Sequence, residues 1–264
     1  APKRFRNGLL TVFSLFFYAW GEPKYIALML LSVLLNYGFG LTVERFGKRR
    51  RLLAACVALN LLILGYYKYA GFTIECINAL IHKTGRTLRV ANIPLPVGIS
   101  FYTFKALSYV VDVYRGEHKA QRSLLHVMLY ISFFPQLIAG PIVKYHDIER
   151  QLEDRHTTAE QFSYGIKRFI LGLGKKVILA NSFAEVVDRV YAYQPGDVSQ
   201  PLLWLAAILY MLQIYYDFSG YSDMAIGLGR MFGFTFQENF NLPYTAVSVR
   251  DFCRRWHISL SGWF

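Results

Sequence analysis

Along the first third of the chain, apolar residues run for helix-length stretches with almost no interruption. Residues 25–43 hold no charged side chain and meet the length of about 20 residues that a membrane-crossing helix needs. Residues 52–67 form a second such run, closed by Lys68, whose apolar stem suits it to snorkel from a helix end. A shorter run, 9–21, finishes on Tyr18, Ala19 and Trp20, the composition of an interfacial aromatic belt, and reads as the remnant of a longer span. Between the two longer runs lies the arginine-rich stretch 44–51, which the positive-inside rule assigns to the cytoplasm. The next connection, 82–89, carries Lys83, Arg86 and Arg89, so strict alternation of sides conflicts with that rule.

From residue 93 onward the pattern breaks up. Pro94, Pro96 and Gly98 precede a run containing Lys105 and Asp112, and Pro135, Gly140 and Pro141 interrupt residues 124–143. Such segments predict bent or re-entrant helices. Residues 162–183 mix Lys167, Arg168, Lys175 and Lys176 with apolar positions, the pattern of an interfacial amphipathic helix. Residues 202–216 form another strong span that runs directly into Asp217-Phe218-Ser219-Gly220-Tyr221-Ser222-Asp223. The predicted fold is all-α: one polytopic membrane domain over residues 1–264, with broken, re-entrant and interfacial helices. A chain that begins on Ala1 and stops on Phe264 within an apolar stretch reads as truncated at both ends.

Composition sharpens this picture. The chain is 54% hydrophobic and 17% charged, against about 25% charged in an average soluble domain. Mean hydropathy is only +0.28, which fits spans interrupted by polar groups better than smooth ones. The net charge of +12 sits in short stretches between apolar runs, so membrane lipids are the expected partner and nucleic acid is not. Cys56, Cys76 and Cys253 lack C-x-x-C spacing and read as inert packing residues, with neither a disulfide framework nor a zinc site. No metal ligand set, G-x-S-x-G elbow, phosphate-binding glycine loop or H-E-x-x-H motif is present in the pattern.

Ionisable groups inside a membrane are costly and mark candidate sites. Asp217, Ser219, Tyr221 and Asp223 form either the polar wall of a substrate tunnel or a helix end emerging into water. In the stretch 250–264, helical spacing would place His257 and Ser261 on one face, with Arg254 a turn before. A histidine there suits general-base work on a hydroxyl, or a purely structural role. Lys105 and Asp112 either line a cavity or pair with each other on a kinked helix. The stretch 133–142 has no titratable group and reads as a close-packed broken helix.

Four strings carry a resemblance: LPVGISFYTFKALSYVVDVYRG at 95–116, FFPQLIAGPIVKY at 133–145, YDFSGYSDMAIGLGRMFGFTFQENFNLPY at 216–244 and SVRDFCRRWHISLSGWF at 248–264. Together they resemble the membrane-bound O-acyltransferase family, in its bacterial branch that modifies cell-surface polymers. The resemblance implies a multi-pass protein of the bacterial cytoplasmic (inner) membrane. It implies transfer of an acyl group, expected to be acetyl, through a tunnel from a cytoplasmic thioester such as acetyl-CoA, with no bound cofactor. The acceptor it implies is a hydroxyl of an extracytoplasmic polysaccharide such as alginate, reached directly or through an acyl-relay partner protein. D-alanyl transfer to teichoic acid is the alternative; a transporter or a non-catalytic scaffold of polymer export are readings of a different class.

His257 falls where the family has one of its two polar active-site residues, and is the candidate catalytic residue. The other, a histidine regarded as the essential base, lies downstream of this motif, so the fragment is expected to be inactive. Asp217, Ser219, Tyr221, Asp223, Arg254, Arg255 and Lys105 are the expected supporting or tunnel residues, with Arg254, Arg255 or the Tyr221 hydroxyl as oxyanion donors. Cys253, Gly262 and Lys105 depart from the family's usual tryptophan, serine and glutamine.

Overall fold

The computed structural model describes residues 3–47, 49–81, 88, 93–194 and 196–264. The connection carrying Lys83, Arg86 and Arg89 therefore lies outside the described residues, as does Lys48 of the basic stretch. The described residues form helices and short turns, with a single isolated antiparallel bridge between Phe240 and Trp256. Among the described residues, three helices are long and apolar enough to cross a membrane: α2 (Ile26–Phe46), α3 (Arg50–Ile81) and α9 (Gln200–Met231). The chain divides into two compact units, Ala1–Ile138 with Lys144–Leu152, and Ala139–Val143 with Glu153–Phe264.

The first unit contains α1 (Lys3–Gly21), α2, α3, α4 (Ile99–Arg115), α5 (Leu124–Ser132) and most of α6 (Tyr145–Glu153). The apolar runs at 25–43 and 52–67 are both helical, but α3 does not stop at Lys68. It continues for 32 residues, about 48 Å at 1.5 Å per residue, because no proline interrupts residues 50–81. Buried Asn36 and Asn60 clasp α2 to α3 through reciprocal amide hydrogen bonds of 3.0 Å. Polar pairs of this kind hold helices together where lipid supplies no hydrophobic drive. Trp20 is exposed as a belt residue should be, but Tyr18 turns inward, 3% exposed and edge-on to Tyr102.

Pro94 and Pro96 do not kink α4, because they precede it. Gly98, at φ 74, starts the helix in a left-handed conformation that favours glycine. A Cβ there would also lie 2.6 Å from the Leu137 carbonyl oxygen. The interruption of 124–143 is as the prolines predict: α5 ends at Ser132, and Pro135 sits in a short 3-10 turn, Phe134–Gln136. The core is aromatic. Tyr109 and Tyr130 both pack edge-on against Tyr145, at 4.9 and 5.2 Å between ring centres.

The second unit holds α7 (Ala159–Gly174), a π-helical turn (Lys175–Ala180), α8 (Asn181–Tyr191), α9, α10 (Val249–Arg255) and α11 (Ile258–Trp263). A capping box opens α7: the Thr158 hydroxyl accepts from the Gln161 amide, and the Gln161 side chain accepts from the Thr158 amide. α9 passes through Asp217 and Asp223 and ends only at Met231, so the charged stretch is not a helix end emerging into water.

Candidate functional site

Helix α9 tolerates its carboxylates because α7 and the π turn bring cations to them. Glycines first let the helices close. A Cβ on Gly165 would lie 2.6 Å from the Gly227 carbonyl oxygen, and one on Gly172 the same distance from that of Gly220. The converse contacts at Gly220 and Gly227 are 2.7 and 2.6 Å, so two glycine pairs form one backbone-to-backbone seam. Along it, Arg168 Nε and Nη2 donate to Asp223 Oδ1 at 2.8 and 2.6 Å, and Lys175 Nζ donates to Asp223 Oδ2 at 2.6 Å. Arg168 also reaches Glu238 at 2.6 Å, and Lys176 pairs with Asp217. Three of the four basic residues that suggested an interfacial anchor, Arg168, Lys175 and Lys176, thus serve as counter-ions to α9.

Beyond α9 the chain returns through residues 239–245 and crosses back at 256–259. The Phe240–Trp256 bridge ties the two passes together, with the Asn241 amide donating to the Arg255 carbonyl at 2.9 Å and the Ile258 amide donating to that of Asn239 at 3.0 Å. Between α10 and α11 the helix is interrupted: His257 sits at φ 46, ψ 53. His257 and Ser261 therefore do not share a helix face, and the hydroxyl of Ser261 instead donates to the Cys253 carbonyl at 2.9 Å. A left-handed histidine costs on the order of 1–3 kcal/mol, and such residues cluster at functional sites.

Asn239, 1% exposed, organises the histidine. Its Oδ1 accepts from the Ser259 amide at 3.2 Å and the Ser259 hydroxyl at 2.8 Å, and lies 3.0 Å from His257 Nδ1. Its Nδ2 donates to the Ser222 hydroxyl at 3.0 Å. A backbone N–H can only donate, so the atom facing Ser259 is the amide oxygen, and Nδ1 of His257 must then carry a proton to meet it. Burial pushes the His257 pKa down to about 4, so at neutral pH the ring is uncharged. Its single proton is spent on Asn239, and Nε2 keeps a lone pair with no hydrogen bond to any described residue. Phe218 stands edge-on to the ring at 4.8 Å. Trp256, Tyr244, Tyr215, Phe240 and Phe252 form the adjoining aromatic cluster.

The expected supporting residues separate into three groups. Ser219 is buried without a hydrogen-bond partner among the described residues, and the Tyr221 hydroxyl is hydrogen-bonded to the Ala139 backbone. Asp217 and Asp223 belong to the α7–α9 seam. Arg255 is held by Asp251 at 2.8 Å, whose carboxyl it keeps below the usual carboxylate range, whereas Arg254 is exposed. Lys105 lies in the first unit and is 1% exposed, donating to the carbonyls of Tyr130 and Ile131 at 3.3 and 3.4 Å. It does not pair with Asp112, which meets His146. Of the cysteines only Cys56 is buried; Cys76 and Cys253 are exposed, which corrects the packing role expected of them. Reading from spacing missed Asn239, a neutral residue with no charge to flag it, and the seven-residue spacing of Gly165 with Gly172 and Gly220 with Gly227.

An all-α membrane protein in which a neutral, hydrogen-bonded histidine stands beside an aromatic cluster is the class that fold and site define. The chain belongs to the membrane-bound O-acyltransferase family, whose sequence profile matches residues 16–264. It is 44% identical over 268 aligned residues to the probable alginate O-acetylase AlgI of Azotobacter vinelandii, covering 100% of this chain and 53% of that protein. It is 34% identical over 283 residues to the peptidoglycan O-acetyltransferase of Helicobacter pylori, covering 96% of this chain and 53% of that one. A teichoic acid D-alanyltransferase of Bacillus subtilis is 30% identical over 173 residues, covering 64% and 43%. The chain spans about half the length of the curated relatives it matches.

Proposed function

We propose that the whole protein is an O-acetyltransferase of the bacterial inner membrane, acting on hydroxyls of an extracytoplasmic polysaccharide such as alginate. The observation that carries the reading is the fixed tautomer of His257: Asn239 takes the Nδ1 proton, leaving an unprotonated Nε2 in the segment shared with the alginate O-acetylases. An acceptor hydroxyl or the reacting acyl group is positioned against Nε2, next to the aromatic cluster. In the reaction the acceptor oxygen attacks the thioester carbonyl, a C–O bond forms, the C–S bond breaks, and the thiol leaves after taking up the hydroxyl proton through histidine. The family resemblance puts the base itself downstream of Phe264, so the described segment alone supplies the orienting half of the site. Arg254, exposed and hydrogen-bonded to no carboxylate among the described residues, is the better placed of the two arginines to meet a developing oxyanion, because Arg255 is already held by Asp251.

Acetyl donor and polymer partners follow from the same reading: a soluble thioester on the cytoplasmic side, and a polysaccharide or relay protein outside. The greater identity and coverage with the alginate O-acetylase favour acetyl over D-alanyl. The test is complementation of a deletion strain with the full-length gene, scoring O-acetyl content of the secreted polymer. Restoration by wild type and failure by His257→Ala, at equal membrane protein levels, supports the proposal. Full acetylation by His257→Ala removes it.

A further inference from the structure

In the first unit, three ligand-type atoms converge from the end of α4, the turn that follows it and the start of α6. His146, the second residue of α6, places Nδ1 3.3 Å from Asp112 Oδ2 and 3.9 Å from Glu117 Oε2. All three atoms lie within 4.8 Å of one another. The other ring nitrogen, Nε2, is 3.2 Å from Asp147 Oδ1. A neutral imidazole has one proton for two nitrogens, and here carboxylates face both. With the proton on Nε2 toward Asp147, Nδ1 joins Asp112 and Glu117 as three acceptors, and the Arg115 guanidinium reaches only the other Glu117 oxygen, Oε1, at 3.9 Å.

Local structure holds this arrangement in place. Asp112 lies near the end of α4, its side chain 4% exposed, and accepts a hydrogen bond from the His146 backbone. Gly116, at φ 78, closes the helix and lets the Glu117 amide return to the Asp112 carbonyl at 3.1 Å, which brings the Glu117 side chain back beside Asp112. On the far side of His146, the His118 ring stacks in parallel at 6.1 Å and is itself paired with Glu149.

We propose that Asp112, Glu117 and His146 bind a first-row divalent metal ion of the Zn2+ or Mn2+ type, with Asp147 as the outer partner that fixes the His146 tautomer. One imidazole nitrogen and two carboxylate oxygens suit these ions better than soft, thiolate-seeking ones. Ligands about 2.1 Å from a tetrahedral ion lie about 3.4 Å from one another, close to the observed 3.3 Å and a small closure from 3.9 Å. A carboxylate on the second nitrogen of the histidine is the usual outer-shell partner of a metal-bound imidazole. The ion would pin the end of α4 to the start of α6. Motif reading could not show it, because Asp112 and His146 are 34 residues apart.

The full-length protein, purified in detergent and stripped with chelator, is titrated with Mn2+ by electron paramagnetic resonance and with Zn2+ by calorimetry. The expected result is one saturable site per chain, weakened at least about tenfold by Glu117→Gln and by His146→Gln, and less by Asp147→Asn. Glu117 is 44% exposed, so its substitution tests the site without threatening the fold. A protein with no saturable site, in which an imidazolium at His146 satisfies the carboxylates instead, overturns the proposal. So does a site whose affinity survives both Glu117→Gln and His146→Gln. The readout is metal binding alone, independent of acetyl transfer.

Discussion

Two polar regions of the second unit look alike in a hydropathy trace and do opposite things. On α9 every formal charge of the 217–223 stretch is matched: Asp217 by Lys176, and Asp223 by Arg168 and Lys175. Around Asn239 the groups carry no charge at all, being its amide, the hydroxyls of Ser259 and of Ser222 from α9, and the uncharged imidazole of His257. Charge within a membrane helix is expensive, so the fold spends its cations neutralising it, and removing one partner of such a pair strands the other in the seam. The neutral network instead leaves one acceptor, Nε2 of His257, unused. The unspent group, more than the conspicuous charge, marks where chemistry can occur.

If that division is correct, substitutions in the two regions should fail in different ways. The largest effect is on turnover: in the full-length enzyme, His257→Ala should lower acetyl transfer about 100-fold or more while leaving the melting temperature near wild type. Asn239→Ala should show a comparable loss together with a drop in stability of about 2–3 kcal/mol, since it strands Ser222, Ser259 and His257 donors or acceptors in a buried setting. Both are read by polymer acetylation normalised to folded protein. Equal activity per folded molecule in Asn239→Ala would show that the tautomer is not what matters.

Next in size are the seam variants, measured by thermal melting in detergent. Asp223→Asn leaves Lys175 without its carboxylate beside a side chain only 9% exposed, and should cost about 3 kcal/mol. Gly172→Ala should cost about 1–3 kcal/mol by forcing α7 from α9. Asp217→Asn, at a pair with side chains 40% and 52% exposed, should cost less than about 1 kcal/mol. Turnover per folded molecule should survive all three. A seam variant with normal melting and lost turnover would break the comparison.

The smallest expected effect is on pH dependence. Burial lowers the His257 pKa from its ordinary value to about 4, so the folded state favours the neutral ring. The stability this confers is complete above the unfolded value near 6.5 and is lost as pH falls through about 4. Melting temperature should therefore fall less between pH 6.5 and 4 in His257→Gln than in wild type, and the wild-type rate profile should show no limb near 6.5 due to His257.

Much of this was legible in the chain. The runs at 25–43 and 202–216 are helices, the prolines around 135 do break 124–143, and His257 stands in a polar network. The misses have physical causes. The apolar run 52–67 reads as ending at Lys68, where hydropathy drops, yet α3 carries that lysine inside the helix and continues to Ile81, because backbone hydrogen bonding does not stop where side-chain hydropathy does. The carboxylates of α9 read either as a tunnel wall or as a helix end, and spacing does not decide between them because their counter-ions lie 41 to 55 residues away on other segments. Helical spacing joined His257 to Ser261, whereas the Phe240–Trp256 bridge and a left-handed residue divide that stretch. Asn239 drew attention only as part of a string, since its role depends on three partners that no periodicity brings together.

The central claim is that Asn239 holds His257 as a neutral ring with Nδ1 protonated and Nε2 free. It is tested most directly by nitrogen-15 NMR of the His257 imidazole in the full-length, histidine-labelled protein at pH 7, assigned by comparison with His257→Gln. The expected spectrum shows a protonated Nδ1 and an unprotonated Nε2, a pattern lost in Asn239→Ala. A proton on Nε2, or on both nitrogens, in the wild-type protein would contradict it.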